Sequence, residues 1–233
     1  MNYTEFKKLY GARGRDIAKE VYLVNQGAMR IKKEKTAVAN LEKILSAVFS
    51  ITYKKGFQAM SMRDLSLKTG MSLGALYAYF PGKEELLAII QDQGRVMVKE
   101  TLSRFARAHD HPLEKLRAAI RAHIYLSELF RPWFYFTFME ARNLKPAGFE
   151  AVKAMEEHTQ KILSDILELG EEQGVFKSGN HELTACMIKA LQQEWYLKRW
   201  KYTKQKITVD AFTDHVLEMV EGFCLADDNT LTP

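Results

Sequence analysis

A chain of 233 residues with 47% hydrophobic and 27% charged content and only 5 prolines has the apolar material for one large or two ordinary domains, and no low-complexity tract that would make a long disordered segment. Its two cysteines, Cys186 and Cys224, lie far apart without C-x-x-C pairing, which excludes a disulfide framework and reads as two buried small hydrophobes in a reducing compartment. The net charge of +5 is uneven: Met1 to Lys83 hold 15 Lys+Arg against 6 Asp+Glu, a net +9, and the remainder is −4, as expected of a polyanion-binding head on a body that does not bind polyanions.

In chain order, Met1 to Gly11 contain Glu5, Lys7 and Lys8 but no apolar h-region, so no secretory signal is read there. Arg13 and Arg15 stand beside Gly11 and Gly14. Ile17, Val21, Val24 and Ala28 then follow at helical spacing, and "RIKKEK" occupies Arg30 to Lys35. Two readings of this extension, residues 1–35, are open: a basic arm that grips phosphates or a minor groove, or a helix packed on the body with solvated charges. Val38, Leu41, Leu45, Val48, Phe49 and Thr52 form one face of a helix over 37–55, closed by Gly56. Ser61-Met62-Arg63-Asp64 has the pattern of a capping box and opens a short helix to Thr69, ended by Gly70. Ser72 caps the next helix, over 73–80, and Pro81 stops it. A long helix begins at Lys83, with Gly82 as its cap and Glu84 and Glu85 in its first turn.

Helices at 37–55, 62–69 and 73–80, with the turn Gly70-Met71-Ser72 between the last two, fit helix-turn-helix geometry. On the last helix Leu76 and Phe80 point one way, toward Leu65, Leu45 and Phe49, while Gly74, Ala75 and Ala78 point the other. Small residues on the outer face let the backbone settle into a DNA major groove about 12 Å wide. Tyr77 and Tyr79 flank that face, where a phenol can hydrogen-bond a phosphate. Lys83 and the first turn of its helix are expected to form an anion site on the same backbone, and Ser61, at another helix start, to do likewise.

Over residues 38–87, and above all in "SMRDLSLKTG" followed by "MSLGALYAYFPGKEELL", the chain resembles the DNA-binding domain of the TetR family of bacterial transcriptional regulators. That resemblance implies DNA contacts from Leu73, Gly74, Ala75, Tyr77, Tyr79 and Lys83; Ser61 and Ser72, at the helix starts, are added to the expected DNA contacts from their positions. Leu73 departs from the polar or basic residue many members have there, so apolar contact with a thymine methyl replaces a hydrogen bond to a base edge.

Further helices are expected at about 84–108, 112–130, 147–173, 181–202 and 208–225, with a loop over Gly174 to Asn180. The fold class is all-α, divided as an extension 1–35, a helix-turn-helix domain 36–83, a ligand-binding and dimerisation domain 84–226 and a tail 227–233. Phe130, Trp133, Phe134, Tyr135, Phe136 and Phe138 place six aromatics in nine residues, interrupted by Pro132. Such a stripe reads as core, or as the wall of a cavity where the proline breaks the helix. The resemblance implies a small-molecule effector, placed here among Trp133, Phe136, Met139, Glu140 and Arg142, with an apolar ligand favoured. Leu183, Met187, Ala190, Leu191 and Leu197, and Phe212, Val216, Met219, Val220 and Phe223, give apolar faces that would pair as a four-helix bundle between two copies.

Other chemistry has no support in the sequence. The six histidines show no metal-ligand spacing, no nucleophile-base pairing or Gly-rich phosphate loop appears, and the most apolar window, Phe130 to Met139, is too short for a bilayer and carries Arg131 and Pro132. The chain is therefore expected to be a cytoplasmic, ligand-responsive regulator, a repressor that binds a palindromic operator in double-stranded DNA as a homodimer, with no enzymatic activity, no cofactor and no membrane span. The alternatives are an architectural DNA-binding protein without an inducer, and an all-helical enzyme or lipid carrier.

Overall fold

The computed structural model describes residues 1–10 and 13–226, without the side chains of 13–16. The expected basic-arm side chains of Arg13 and Arg15 and the tail 227–233 lie outside the described residues. Among these residues the chain forms α1 (Tyr3–Tyr10), α2 (Arg13–Asn25), α3 (Glu34–Lys55), α4 (Met62–Thr69), α5 (Leu73–Tyr77), α6 (Lys83–Arg107), α7 (Pro112–Leu129), α8 (Arg131–Glu140), a 3₁₀ turn (Ala141–Asn143), α9 (Pro146–Glu172), α10 (His181–Leu197), α11 (Arg199–Lys204) and α12 (Val209–Cys224). A single antiparallel bridge, Phe176 with Leu225, is the only extended pairing among the described residues. The fold is all-α.

Contacts group the chain into two compact units. One, the reader unit, comprises Lys7–Val96 and Pro132–Val152; the other, the body unit, comprises Met1–Phe6, Met97–Arg131 and Lys153–Pro233. Helix α6 runs unbroken through residues of both.

In the reader unit, Leu41, Ile44, Leu45 and Val48 of α3 lie on one face at three- and four-residue spacing and are buried with Leu65 of α4 and Leu76 of α5. The capping box forms as the sequence predicts. Asp64 N–H donates to Ser61 Oγ at 3.2 Å, and the Ser61 N–H and hydroxyl donate back to the Asp64 carboxylate at 2.7 and 2.6 Å. Gly70 closes α4 in the left-handed region, φ 71, where its N–H reaches Ser66 O. Helix α5 is shorter than expected, ending at Tyr77 rather than near Phe80. Pro81 excludes helical geometry at the residue before it, so the chain unwinds after Ala78, while the N–H groups of Tyr79 and Phe80 still reach Leu76 O.

The N-terminal extension is packed rather than free. Ala18, Val21 and Tyr22 of α2 are buried, α2 lies along α3, and Met29 is buried beyond it. Val24, one of the residues at helical spacing, is 71% exposed, because the buried stripe runs through Ala18, Val21 and Tyr22. The Arg30 N–H donates to Ala78 O at 2.9 Å, so the extension ties down the end of α5.

In the body unit α7 is buried along most of its length, from Leu116 through Tyr125 and Leu126, between α10 and α12. Arg117 holds Glu221 of α12 through two hydrogen bonds of 2.7 and 2.6 Å. Tyr3 N–H and the Tyr125 hydroxyl both donate to Asp210 Oδ1, at 2.8 and 2.6 Å, and Phe6 packs on Phe105 and Tyr125. The helix expected over 181–202 breaks at Lys198. Arg199 there turns back over the Trp195 ring, 4.4 Å away, and reaches Glu128 Oε2 at 3.2 Å.

Candidate functional site

The side of α5 away from the core is nearly bare of side chains. Leu76 and Phe80 are buried beneath it, and Gly74 is exposed with no described atom within 4 Å of where a Cβ would stand. Ala75 and Ala78 are partly exposed, and Leu73 and Tyr77, 36% and 49% exposed, bracket the bare strip. Ser72 is exposed at the helix start, its Oγ accepting the Ala75 N–H at 3.1 Å. Ser61 is exposed too, at the start of α4. On α4, Arg63 and Lys68 are exposed and Leu67 is 85% so, a group that a reading centred on α5 passes over.

Two expected DNA contacts are placed differently. Tyr79 is only 3% exposed, and its hydroxyl accepts a hydrogen bond from Asn40 Nδ2 of α3 at 2.9 Å. Because α5 ends at Tyr77, Tyr79 leaves the helical wheel on which it was placed and turns into the core. Lys83 does not extend outward. Its ammonium donates to Gln58 O and Met60 O, at 2.9 and 3.2 Å, and lies over the Phe57 ring at 5.4 Å. It clamps the first turn of α6 to the loop that leads into Ser61.

The expected effector site around α8 is core instead. Trp133 is buried with its indole N–H on Ile90 O at 2.9 Å, and it fills the space above Gly94. Phe136 is 1% exposed and packs edge-on against Phe49 and Phe57. The Glu140 carboxylate is buried, accepting the Phe57 N–H at 3.0 Å and the Asn143 amide. Met139 and Arg142 are exposed. Three of the five residues are thus packed into the core of the reader unit, and two face outward.

A gap lies elsewhere, inside the body unit. It is a narrow seam, too tight to hold a water molecule, lined by Leu102 of α6, Ala119 of α7, Thr159, Ile162 and Leu163 of α9, and Lys189 and Gln192 of α10. Lys189 is 6% exposed, and burial pushes its ammonium below the usual lysine range. Among the described residues it meets His123 Nε2 at 3.2 Å and Glu156 Oε2 at 3.5 Å. Burial and the neighbouring Lys189 push His123 well below the ordinary histidine value, so its ring is neutral and Nε2 accepts from the ammonium. Sequence reasoning missed this cluster, although a signal existed: Lys189 and Gln192 share the three- and four-residue stripe of Ala185, Ile188, Trp195 and Tyr196.

Comparison with known proteins agrees with the reader geometry. Residues 44–90 match the model described as bacterial regulatory proteins, tetR family, and residues 109–220 match a tetracyclin repressor-like C-terminal domain. The chain belongs to the TetR family. Among relatives of this TetR-family regulator, an uncharacterized HTH-type transcriptional regulator of Lactococcus lactis is 34% identical over 77 residues, 33% of this chain and 39% of that protein. The match thus spans about two fifths of the relative's length. A solved tetR-family regulatory protein from Rhodococcus has the same fold at TM-score 0.72 and 22% identity, covering 79% of this chain and 97% of that one. AibR, solved in complex with isovaleryl coenzyme A and operator DNA, superposes at TM-score 0.67 with 20% identity over 76% of this chain and 95% of its own. The chain is accordingly a helix-turn-helix transcriptional regulator.

The expected dimer faces are partly free in this TetR-family chain. Leu183 and Met187 of α10 are 52% and 59% exposed, and Met219 and Phe223 of α12 are 52% and 69% exposed. Val216 and Val220 are instead buried, and Phe212 packs on Trp195 and Tyr202. Helix α12 thus divides its apolar residues between its own unit's core and an open ridge. Cys224 is buried as expected, its thiol pushed up to about 11 by burial; Cys186 is exposed on α10, the residue before Met187. No group of three or more metal-ligating side chains occurs among the described residues, and no described helix is long and apolar enough to cross a membrane.

Proposed function

We propose that the chain is a ligand-responsive repressor that binds a palindromic operator as a homodimer and is released by a small effector. The bare outer strip of α5 carries this reading: Gly74, Ala75 and Ala78 over buried Leu76 and Phe80, bracketed by Leu73 and Tyr77. Such a rod meets base edges with its backbone close to the groove floor, while Ser72 and Tyr77 offer hydroxyls to phosphates, the Ser61 hydroxyl being already held by the Asp64 carboxylate. Lys83 acts through the loop it clamps. The reader occupies 36–83, and ligand binding and dimerisation belong to 84–226.

A second copy docks on the ridge of Leu183, Met187, Met219 and Phe223. Pairing sets two readers about 34 Å apart, on successive major grooves of one duplex face. The effector enters the body unit, and helix α6, which runs from Lys83 beside the reader to Leu102 in the seam, carries the change. AibR, bound to both an acyl thioester and operator DNA, supports a site of this kind. A differential affinity of about 1–3 kcal/mol between the two helix settings releases DNA 5- to 150-fold.

The test is selection of bound fragments from random DNA by the full chain, repeated with cell extract present. A palindrome with half-sites one helical turn apart, lost on adding extract, is the expected result. Binding without sequence preference makes the protein an architectural DNA-binding protein instead.

A further inference from the structure

We propose that the connection between α2 and α3 is a second DNA-contacting element, in which Arg30, Lys33 and Lys35 hold backbone phosphates beside the base pairs that α5 reads. The proposal rests on the reading of α5 as a DNA reader and extends it to a part of the chain outside the helix-turn-helix.

Backbone bonds and burial place this connection. The Arg30 N–H donates at 2.9 Å to the carbonyl of Ala78, the residue that caps α5, and Met29 beside it is buried. The Tyr22 hydroxyl donates to Lys32 O at 3.0 Å, and the Lys32 ammonium folds back to donate to Gln26 O and Met29 O at 3.2 and 3.1 Å. The result is an elbow fixed at the end of the bare strip on α5. A helix lying in a major groove has a phosphate strand at its end, which is where the elbow stands. Packing and phosphate contact are then not alternatives for the extension, because burial of Met29 and Tyr22 sets where its cations stand.

The charges of the elbow have no work inside the protein. Arg30 to Lys35 hold four bases and one acid, and that acid, Glu34, faces Lys19 of α2 at 3.8 Å. Lys32 is engaged with the carbonyls. Arg30, Lys33 and Lys35 are exposed, and their side chains form no hydrogen bond or ion pair among the described residues. Nor do they support α3: Lys33 stands at its N-cap without a side-chain bond and Lys35 in its first turn, where the positive end of the helix dipole disfavours cations. Three unpaired cations on a rigid elbow, continuous with a groove-reading helix, match the regular negative charge of a duplex. Because the elbow is ordered on folding, little ordering is left to oppose the contact.

Fluorescence anisotropy over a salt series tests this, with the full chain, the palindrome recovered by selection and a duplex of random sequence. Arg30→Gln, Lys33→Gln and Lys35→Gln combined keep the Arg30 N–H and its bond to Ala78. They should lower the slope of log affinity against log salt by about two to three units per reader bound, on both duplexes. The bases preferred in selection should stay the same, since phosphate contacts carry no sequence information. Urea unfolding should be unchanged or move to higher urea, as two cations leave the positive end of α3. Lys99→Gln, Lys115→Gln and Lys204→Gln combined remove the same charge from the body unit and should leave the slope as it is in the native chain. The proposal is overturned if the elbow variant keeps the native slope, if the body variant lowers the slope as much, or if the elbow variant selects a different palindrome. Each elbow substitution alone should take about one unit of slope, so the measurement decides even if the triple variant fails to fold. Native binding to the palindrome with an unchanged slope in the elbow variants sinks this inference alone. A native chain that binds neither duplex sinks the reading of α5, and this inference with it.

Discussion

The hydroxyl of Tyr79 accepts the Asn40 amide inside the reader core, whereas that of Tyr77 stands on the half-exposed side of α5. Removing each oxygen therefore separates stability from binding. Tyr79→Phe leaves the Asn40 donor without its partner and should cost about 1 kcal/mol in urea unfolding, with operator affinity unchanged. Tyr77→Phe should leave unfolding unchanged and weaken operator binding by about fivefold at every sequence, since a phosphate contact positions without specifying. His123 offers a second test at this scale. Its folded-state pKa lies well below 6.5, so the unfolded chain takes up a proton as pH falls through 6.5 and the folded chain does not. Its contribution is intact above that pH and erodes below it by about 1.4 kcal/mol per pH unit, until the folded value is reached. Urea titrations at neutral and mildly acidic pH should show the loss in the native protein and a smaller one in His123→Gln, whose amide oxygen still accepts from Lys189.

At the scale of elements, α8 is locked against α6 by shape. A Cβ at Gly94 would overlap the Trp133 ring, while the indole N–H is held by Ile90 O. Gly94→Ala forces ring or helix to shift and should destabilise by about 1–3 kcal/mol despite the better helix propensity of alanine, measured by chemical unfolding with tryptophan fluorescence as the probe. The same helix pair shows why some elements were legible in the sequence and others were not. Ser61, Asp64, Gly70 and Ser72 act within a turn of themselves, so the residue types alone announce α4 and α5. The aromatic run from Phe130 to Phe138 carries no such local instruction. Whether it walls a cavity or fills one depends on Gly94, some forty residues earlier, which admits Trp133, and on Phe49 and Phe57, which meet Phe136. Tyr79 was misplaced for a related reason: a helical wheel continued past the point where Pro81 ends the helix. Lys189 and Gln192 lie on the stripe of Ala185, Ile188, Trp195 and Tyr196, but a polar residue at a stripe position marks a solvent face as readily as a buried one.

For the whole molecule, the decisive quantity is the number of readers held on one duplex. A five-residue helix with a bare face has too few contacts for tight binding alone, and linking two raises affinity by about 10²–10⁴ through effective concentration. The ridge of Leu183, Met187, Met219 and Phe223 supplies the link in the proposed dimer. Its side chains are more than half exposed, so exchanging them tests assembly without opening the core. Phe223→Glu combined with Met187→Glu places like charges on a self-complementary surface, where each copy must bury them against the other. The variant should sediment as a monomer with native helical content and an unfolding transition that no longer depends on protein concentration. Its affinity for a full palindrome should fall to that for a half-site, while its salt dependence halves as half the phosphate contacts are lost. A variant that still dimerises would move the interface away from α10 and α12. A monomer that binds the palindrome as tightly as the native chain would show that one reader suffices, and the argument from paired grooves would fall with it.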